Sequence, residues 1–483
     1  MNVIDLMFFW ARIDPHRAAI IQPEMVTTFQ GLADAIESVS DRIDRLGLDL
    51  REPIAVSLAN PSHFVAAALA VLRCGYTLAL VNPPLFPQLQ PSGIRNLIYD
   101  TQGLVLSGGR NIRFEMSWLP ASPPSKRKPY RPRPLNDVST IAFTSGTTGL
   151  PKMQVLRRAA LEHRFACPIT SLANGDHQKA LIMPGVAGGF GFNRTCEMLF
   201  AGKTACFAPS AEEALWLIST FGIDCILASP QQALGLAEIQ QRKTRYALES
   251  VKTLRIGGAA VPPEMARRLR SHVCRNVIIY YASTEAGTAA SAPYDAIEGI
   301  PHAVGFVGPD VELEIVDEAD SVLPVGSEGL IRLRTLQSRL NSDPSKPVAA
   351  PGSKASWFYP GDIGRLTEDG ILCVSGRSAD VINSGGVKVS AAKIEEIVQA
   401  LPEVREAAAC GIVGPSGIEE LWVAVIAVGQ IDPEAIKRLL KENEQVGLAP
   451  AQIVLVEKLP RGDLGKLQRH RLKEQLLGLK KRG

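Results

Sequence analysis

The sequence predicts an α/β protein that has a large N-terminal domain of mostly parallel α/β sheets, a smaller β subdomain, and a small α+β C-terminal domain. The chain has 483 residues, 46% of them hydrophobic, which is more than one hydrophobic core usually holds. Short apolar runs alternate with helical patterns through most of its length, as they do in βαβ units. A break near Gly376 separates a shorter αβ pattern from the rest. We therefore expect two domains, at residues 1–376 and 377–483.

Strands and helices follow one another closely in the N-terminal part. IAVSL, from Ile54, predicts a strand, and the helix after it can be capped by Ser62 and end at Gly75. Ser210 and Glu213 have the spacing of a helix-capping box. Further strands are predicted at TLALV, TIAFT, LIM (Leu181), TACFA, DCILA, TLRI (Thr253) and VIIYY.

Two other segments complete the outline. The stretch 123–134, PPSKRKPYRPRP, has too many prolines for a helix or a central strand, so we expect an exposed connector rather than a phosphate site. The C-terminal part predicts a helix after Ser390, strands at AAACGIV and LWVAVIAV, a helix from Pro433 and a strand at QIVLV.

Composition excludes several function classes. Lys and Arg number 52 and Asp and Glu 49, a net charge of +3, so no overall field attracts nucleic acid or an anionic membrane. The eight cysteines lack the pairing of zinc sites and indicate a reducing compartment. Because neither a signal peptide nor an apolar run of about 18 residues is found, we expect a cytoplasmic protein without a membrane span. The oligomeric state is not indicated.

One glycine-rich and hydroxyl-rich segment predicts a polyphosphate site. TSGTTGLPK follows the apolar strand TIAFT, and its spacing is not that of a Walker loop. Its glycines let backbone N–H groups approach an anion, while its hydroxyls add donors and its lysine adds charge. The candidate phosphate-binding residues are Thr144, Ser145, Gly146, Thr147, Thr148, Gly149 and Lys152.

This segment resembles the phosphate loop of the ATP-dependent AMP-binding (adenylate-forming) superfamily, which unites acyl-CoA synthetases, peptide-synthetase adenylation domains and luciferases. The resemblance extends from the first strands to the last turn. In that family the loop holds the β- and γ-phosphates of ATP. The resemblance implies that residues 1–376 form the AMP-binding domain and that residues 377–483 form a mobile lid.

Two further segments are similar to the family's nucleotide motifs. LRIGGAAVPPEM, from Leu254, looks like the adenine-site segment, and YASTEAG, from Tyr281, is similar to the motif YGxTE. The resemblance implies that Tyr281 stacks on adenine, that Thr284 contacts the α-phosphate, and that Glu285 binds Mg²⁺. Such a metal and hydroxyl would stabilise the charge on the phosphates during adenylation. The implied AMP-binding residues in these segments are Gly257, Gly258, Ala259, Tyr281, Ala282 and Ser283.

The remaining motifs lie toward the C-terminus. WFYPGDIGRL carries Asp362 at the family's ribose-binding position. The motif that opens the lid carries Arg377, which by the resemblance would reach ribose or phosphate, and Ala379 stands at the usual hinge. In the tail, Lys466 matches the lysine that neutralises charge between the acid and the α-phosphate. The resemblance also implies a path for a thiol, lined by Ser384, Gly385, Gly386 and Lys388.

The segment from Met183 is similar to the family's acyl-pocket wall. The expected histidine is Ala187, and Gly188, Gly189 and Phe190 follow it. Gly189 stands where the amino-acid-activating branch has an aspartate, so an α-ammonium would lack a buried partner. An acid without an amino group is therefore favoured.

The resemblance as a whole implies an AMP-forming acyl-CoA synthetase that uses ATP, Mg²⁺ and coenzyme A. Lys466, Thr284 and Glu285 are the expected catalytic residues. Two alternatives stay open: a stand-alone enzyme that loads the phosphopantetheine of a carrier protein, and a nucleotide-binding relative without catalysis. The sequence does not indicate which carboxylic acid is the substrate.

Overall fold

The computed structural model divides the chain into two compact units. The first unit comprises Met1–Thr144, Pro151–Glu298 and Arg334–Ser356, and the second comprises Ser145–Leu150, Gly299–Leu333 and Trp357–Gly483. The structure describes residues 4–81, 92–101, 104–120, 137–144, 152–166, 177–242, 246–341, 357–384, 387–414, 419–443, 451–462 and 465–480. The proline-rich stretch 123–134 lies outside these residues. The domain boundary expected after residue 376 stays a prediction.

The first unit alternates helices with short strands. Its described helices are α1 (Asp5–Ile13), α2 (Phe29–Arg45), α3 (Pro61–Arg73), α4 (Arg158–Ala166), α5 (Gly189–Phe200), α6 (Ala211–Phe221), α7 (Pro230–Arg242), α8 (Pro263–His272) and α9 (Leu336–Leu340). Its described strands are β1 (Ala18–Gln22), β2 (Met25–Thr28), β3 (Ile54–Ser57), β4 (Leu78–Leu80), β5 (Asn96–Tyr99), β6 (Arg110–Arg113), β7 (Val138–Thr144), β8 (Lys152–Arg157), β9 (Lys179–Ile182), β10 (Thr204–Cys206), β11 (Cys225–Ala228), β12 (Thr253–Gly257), β13 (Val277–Ser283) and β14 (Gly287–Pro293).

These strands form two mostly parallel sheets, as the sequence predicts. One sheet has the order β6-β5-β3-β4-β7-β8, and the other includes the run β14-β13-β12-β11-β9-β10-β1-β2. Neighbours are parallel except at the ends, where β7–β8, β13–β14 and β1–β2 are antiparallel. In parallel sheets, side chains and loops at the carboxyl ends of the strands commonly form the binding crevice.

The strands β7 and β8 flank the predicted phosphate loop. They pair as a hairpin in which Thr144 is opposite Lys152. The helix α4 begins only after β8, at Arg158. The loop therefore joins two antiparallel strands rather than a strand and a helix.

Two of the predicted helix caps differ in detail from expectation. The prediction that Ser62 caps α3 is wrong, because Asn60 is the N-cap and accepts a hydrogen bond from the His63 N–H at 3.2 Å. At α6, Ser210 accepts the Glu213 N–H at 3.2 Å as predicted. The Ser210 hydroxyl also donates to the Glu213 carboxylate at 2.6 Å.

A buried ion pair joins α2 to α3 in the core of the first unit. Arg73 and Glu37 approach to 2.8 Å, and their side chains are only 6% and 3% exposed. The Arg73 guanidinium also lies 4.3 Å from the centre of the Phe8 ring. The pair therefore lies within the hydrophobic cluster that includes Phe29 and Phe64.

Replacing Glu37 with alanine is expected to lower the free energy of unfolding by about 3–5 kcal/mol, because the buried Arg73 guanidinium would lose the carboxylate that lies 2.8 Å from it. Chemical denaturation of the variant measures the change. Glu264→Ala is the matched control, since Glu264 pairs with Arg267 at 2.8 Å but their side chains are 82% and 56% exposed. The control is expected to change stability by less than about 1 kcal/mol. Equal losses in the two variants would contradict the structural reasoning.

The second unit contains an antiparallel sheet and a C-terminal αβ region. Its described strands are β15 (Ala303–Val307), β16 (Val311–Val316), β17 (Gly329–Thr335), β18 (Asp362–Leu366), β19 (Ile371–Arg377), β20 (Val381–Ser384), β21 (Val387–Ser390), β22 (Val404–Val413), β23 (Glu419–Ala427) and β24 (Ala451–Leu455). Its described helices are α10 (Ala391–Gln399), α11 (Pro433–Glu442) and α12 (Arg469–Lys480). The strands β16-β17-β18-β19-β15 are adjacent in that order and provide the predicted smaller β part.

The C-terminal sheet is covered on both faces. Its strands have the order β21-β20-β23-β22, and β24 pairs with β23. Residues of α10 and α11, among them Ile394 and Ile436, share one cluster with Val423. Leu472 and Leu476 of α12 share another cluster with Trp422. Among the residues described, no helix is long and apolar enough to cross a membrane.

Candidate active site

The ends of β12 and β13 carry the residues expected at the adenine. Gly257 ends β12 opposite Tyr280 of β13, and a Cβ at Gly257 would overlap the Tyr280 ring. Gly258 has a φ of +92°, a backbone conformation that favours glycine. Ala259 follows and is exposed. Both glycines are therefore required by the local geometry, and their contact with adenine stays a prediction.

The turn from β13 to β14 carries the predicted catalytic segment. The pairing of these strands shifts register between Tyr281 and Ala282, as at a β-bulge, which re-aims the side chains that follow. The Ser283 hydroxyl accepts the Ala286 N–H at 3.0 Å. Thr284 and Glu285 therefore lie in a short, hydrogen-bonded turn, and both are partly exposed.

Two residues that the sequence did not single out hold the main chain of this turn. Arg164 of α4 donates to the Thr284 carbonyl at 2.6 Å and to the Gln337 side-chain oxygen at 3.0 Å. Gln337 of α9 donates in turn to the carbonyls of Thr284 and Glu285, at 3.1 and 3.0 Å. The two side chains thus fix the backbone from which the expected catalytic groups project.

The surroundings of Arg164 strengthen its hydrogen bond to the Thr284 carbonyl. Burial lowers the pKa of Arg164 to about 10, while the carboxylate of Glu197 opposes that fall. The guanidinium is thus still charged near neutral pH, and hydrogen bonds from a charged donor are the stronger kind. Gln337 is itself buried. A signal for this pair is absent from the sequence, because its members are 173 positions apart.

The predicted wall of the acyl pocket begins α5. Ala187 is buried, and Gly188 is the residue before the first turn of the helix. A Cβ on Gly189 would lie 3.3 Å from the Ala142 side chain and 3.9 Å from the Thr284 methyl group. Phe190 stacks on Tyr280 with ring centres 6.1 Å apart. The wall is therefore close to the catalytic turn.

A second group of predicted residues lies in the second unit. Asp362 begins β18 and Arg377 ends β19, and the two are directly opposite in the antiparallel pair. The Arg377 Nε lies 3.2 Å from the carboxylate of Asp362, whose side chain is only 10% exposed. The strand register thus brings together Asp362, expected at the ribose, and Arg377, expected at the ribose or a phosphate.

Lys466 lies in the electrostatic field of this pair. Burial lowers the pKa of Lys466 to about 8, and the positive charge of Arg377 adds to that effect. The carboxylates of Asp362 and Asp380 act in the opposite direction, and Arg469 lowers the pKa further. A partly buried ammonium is well suited to interact with an incoming anion.

The expected hinge is followed by an ion-pair network. Ser378–Asp380 forms a 3₁₀ turn directly after β19. Asp380 lies 3.0 Å from Arg469, which also pairs with Glu395 of α10. Although Ala379 offers no polar contact at the usual hinge position, the next residue is anchored to the helix that follows Lys466.

The structure describes two other groups of predicted residues only in part. Thr144 and Lys152 end and begin their strands, but their side chains and residues Ser145, Gly146, Thr147, Thr148 and Gly149 lie outside the described part. On the expected thiol path, Ser384 ends β20 and Lys388 lies in β21. Their side chains, together with Gly385 and Gly386, are also outside it. These assignments stay predictions.

Comparison with known proteins agrees with these motifs. A model of the family described as AMP-binding enzyme matches residues 8–337, more than half of the chain. The chain belongs to the AMP-binding enzyme family. The recognition made from the motifs and the predicted fold class are thereby confirmed.

The relatives of this AMP-binding enzyme include CoA ligases. The 4-chlorobenzoate–CoA ligase of an Arthrobacter species is 27% identical, over 98% of this chain and 95% of its own. The O-succinylbenzoate coenzyme A synthetase of Bacillus subtilis, solved with ATP and a magnesium ion, has a TM-score of 0.81 at 20% identity and covers 97% of this chain and 99% of its own. Coenzyme A in both names, and ATP with magnesium in the second description, agree with the predicted ligands ATP, Mg²⁺ and coenzyme A.

One solved neighbour differs in the reaction that its name describes. An amide bond synthetase from Marinactinospora thermotolerans has a TM-score of 0.79 at 22% identity and covers 98% of this chain and 99% of its own. Likeness at this identity shows the fold alone. The fold of an AMP-binding enzyme therefore does not by itself determine which nucleophile accepts the acyl group.

The residues of this AMP-binding enzyme fit a magnesium ion that enters with its nucleotide. Mg²⁺ usually keeps several waters and takes one or two carboxylates together with substrate phosphates. Glu285 supplies one carboxylate from a turn whose backbone is fixed. Within the described ranges, no cluster of three or more His, Cys, Asp or Glu side chains is arranged to hold a metal. Glu285 and the phosphates would therefore share the ion.

Proposed function

We propose that this AMP-binding enzyme is an acid–thiol ligase that converts a carboxylic acid to its acyl-adenylate and then to its CoA thioester. The observation that carries the proposal is the position of Lys466, a partly buried lysine whose pKa is affected by both Asp362 and Arg377. Such a charge can neutralise the acid and the phosphate as they approach each other. The CoA-ligase relatives support the choice of acceptor.

In the first step, a carboxylate oxygen of the acid attacks the α-phosphorus of ATP. The bond from that phosphorus to the bridging oxygen breaks, and pyrophosphate leaves. Thr284 would donate its hydroxyl to the α-phosphate, and Lys466 would compensate the charge that develops on the oxygens. Mg²⁺, bound through Glu285, would neutralise charge on the departing phosphates.

In the second step, the thiol sulfur of CoA attacks the acyl carbon of the adenylate. A thioester bond forms, the acyl–oxygen bond breaks, and AMP leaves with that oxygen while the thiol proton passes to solvent. We assign the approach of the thiol to Ser384, Gly385, Gly386 and Lys388 on the basis of their motif. We also assign the mobile lid to residues 377–483, which begin at the 3₁₀ turn Ser378–Asp380.

The acyl wall favours an acid without an amino group. Ala187, Gly188 and Gly189 offer no carboxylate to pair with an α-ammonium, whose burial would be costly. Two relatives are named for acids of this kind, 4-chlorobenzoate and O-succinylbenzoate. Phe190 adds an aromatic face, stacked on Tyr280, against which an acyl group can pack.

Exchange of labelled pyrophosphate into ATP tests the first step. Exchange is expected with carboxylic acids and not in their absence, and it needs no acceptor. The adenylating enzyme is then offered CoA, a phosphopantetheine-bearing carrier protein or a primary amine, and mass spectrometry identifies the product. A CoA thioester is expected. Exchange followed by transfer only to the carrier or the amine would overturn the thiol assignment. ATP binding by calorimetry without exchange would indicate a non-catalytic relative.

A further inference from the structure

A group rich in hydrogen-bond donors lies one helical turn beyond the acyl wall. This Arg194 cluster consists of Arg194 and Glu197 of α5, Arg255 of β12, Tyr280 of β13 and the ring of Phe190. Arg194 is four positions after Phe190, so both lie on the same face of α5. The Arg194 guanidinium is 5.7 Å from the centre of the Phe190 ring and 5.8 Å from that of Tyr280.

Arg194 and Tyr280 have more hydrogen-bond donors than partners among the residues described. Arg194 donates to Glu197 at 2.7 Å and makes one long contact, 3.5 Å, with the Thr288 hydroxyl, whereas a guanidinium has five N–H donors. The Tyr280 hydroxyl is buried and has no hydrogen-bond partner among the residues described. A buried polar group without a partner is costly, so such a group indicates a missing ligand or water.

The charges of the cluster also favour an anion. Burial lowers the pKa of Arg255, and the positive charge of Arg194 lowers it further. Burial raises the pKa of Tyr280, and the same two arginines oppose that rise. The guanidiniums of Arg194 and Arg255 and the phenol of Tyr280 thus interact electrostatically. Glu197 is the carboxylate in this cluster. A second carboxylate would relieve the repulsion between the two arginines and accept a hydrogen bond from the Tyr280 hydroxyl.

We infer that the acid substrate carries a second carboxylate, which Arg194 and the Tyr280 hydroxyl bind while the first carboxylate reacts. This inference rests on the proposed function, because it places the acyl group between the catalytic turn and the cluster. A Cβ on Gly189 would lie 3.9 Å from the Thr284 methyl group. Arg194 is five residues, about 1.4 turns, farther along α5. The dicarboxylic acid would therefore span from the catalytic turn to Arg194.

Matched pairs of acids test the inference in the intact enzyme. A series of aliphatic and aromatic dicarboxylic acids, succinate, glutarate and isophthalate among them, is assayed beside the monomethyl ester of each by acid-dependent pyrophosphate exchange. For the best acid, kcat/KM is expected to exceed that of its ester by about a hundredfold or more, because a site built for charged hydrogen bonds rejects an analogue that lacks them. The difference between the diacid and its monomethyl ester is expected mainly in KM.

Three variants identify the group responsible. Arg194→Met is expected to abolish the preference for the diacid, and Arg194→Lys to restore part of it. Since Arg194→Met leaves Glu197 unpaired, the double variant Arg194→Met/Glu197→Gln removes both charges and is expected to fold with the same loss of preference. Arg267→Met is the matched control, because Arg267 pairs with Glu264 at the same spacing but on the surface. It should keep the wild-type ratio.

The outcomes separate this inference from the proposed function. Exchange that is equally fast with diacids and their esters would overturn the inference and leave the ligase proposal standing. An equal loss of activity toward all acids in the double variant would also overturn it, since Arg194 would then serve the reaction centre. Exchange with no acid of either kind would refute the proposed function, and the inference with it.

Discussion

Replacing Lys466 with alanine is expected to slow acid-dependent pyrophosphate exchange by about 10²–10³-fold, the range that the loss of one charge-stabilising donor usually costs. The variant loses the ammonium that lies beside Asp362 and Arg377. ATP affinity is expected to change much less, because adenine and the metal are assigned to other residues. Steady-state exchange and ATP titration by calorimetry measure the two effects separately.

The pKa of Lys466 gives the same reaction a characteristic pH dependence. Because the pKa is lowered to about 8, the ammonium is present below pH 8 and is lost as the pH rises through that value. The kcat/KM of exchange, which reports the free enzyme, is therefore expected to fall above pH 8. An unperturbed lysine would keep the rate constant beyond pH 9.

A conservative variant separates this lysine from other groups that titrate. Lys466→Arg keeps a positive charge at all accessible pH values, so its reduced exchange activity is expected to show no fall near pH 8. Lys437→Ala, which removes a lysine from an exposed pair with Glu434, serves as the control with the wild-type profile. A fall near pH 8 that persists in Lys466→Arg would assign the titration to another residue.

Replacing Arg164 with methionine is expected to reduce the rate of exchange by about 100-fold, although Arg164 is assigned no contact with substrate. The change removes the hydrogen bond to the Thr284 carbonyl and the support of Gln337. A displacement of catalytic groups by about 1 Å can reduce a reaction rate by about that factor. We expect kcat to fall more than the KM for ATP rises, and the apparent Mg²⁺ requirement to increase because Glu285 shifts.

A double-mutant cycle shows whether Arg164 and Gln337 act as one unit. Gln337→Ala removes the bonds to the carbonyls of Thr284 and Glu285. If both side chains fix the same turn, the double variant should be little slower than either single variant. Additive losses in activity, or a fall in thermal stability without a change in Mg²⁺ requirement, would indicate a merely structural role.

Most of the strands and the glycines at their ends could be predicted, because these features depend on local sequence. Gly257 and Gly258 are examples. Both belong to one motif of consecutive residues, and the structure requires glycine at each, because Tyr280 approaches Gly257 closely and Gly258 has a positive φ. The N-cap residue of α3 could also have been predicted from the sequence. Pro61 favours the first helical position, so the residue before it, Asn60, is the better N-cap than Ser62.

The support of the catalytic turn could not be predicted, because it depends on tertiary contacts. Arg164 and Gln337 come from helices far apart in sequence and meet at the Thr284 carbonyl. Likewise, Asp362 and Arg377 were expected at one sugar, but their direct pairing follows from the register of β18 and β19. A single sequence contains residue types and spacing, while register and long-range contacts arise only on folding.

The hairpin β7–β8 has a consequence for how phosphate is recognised. In P-loop proteins the phosphates lie at the N-terminus of a helix, where aligned peptide dipoles contribute to binding. Here the two ends of the loop are strand residues, Thr144 and Lys152, held opposite each other. If the loop binds phosphate as the motif implies, recognition is expected to come from individual N–H, hydroxyl and ammonium groups rather than from a helix dipole.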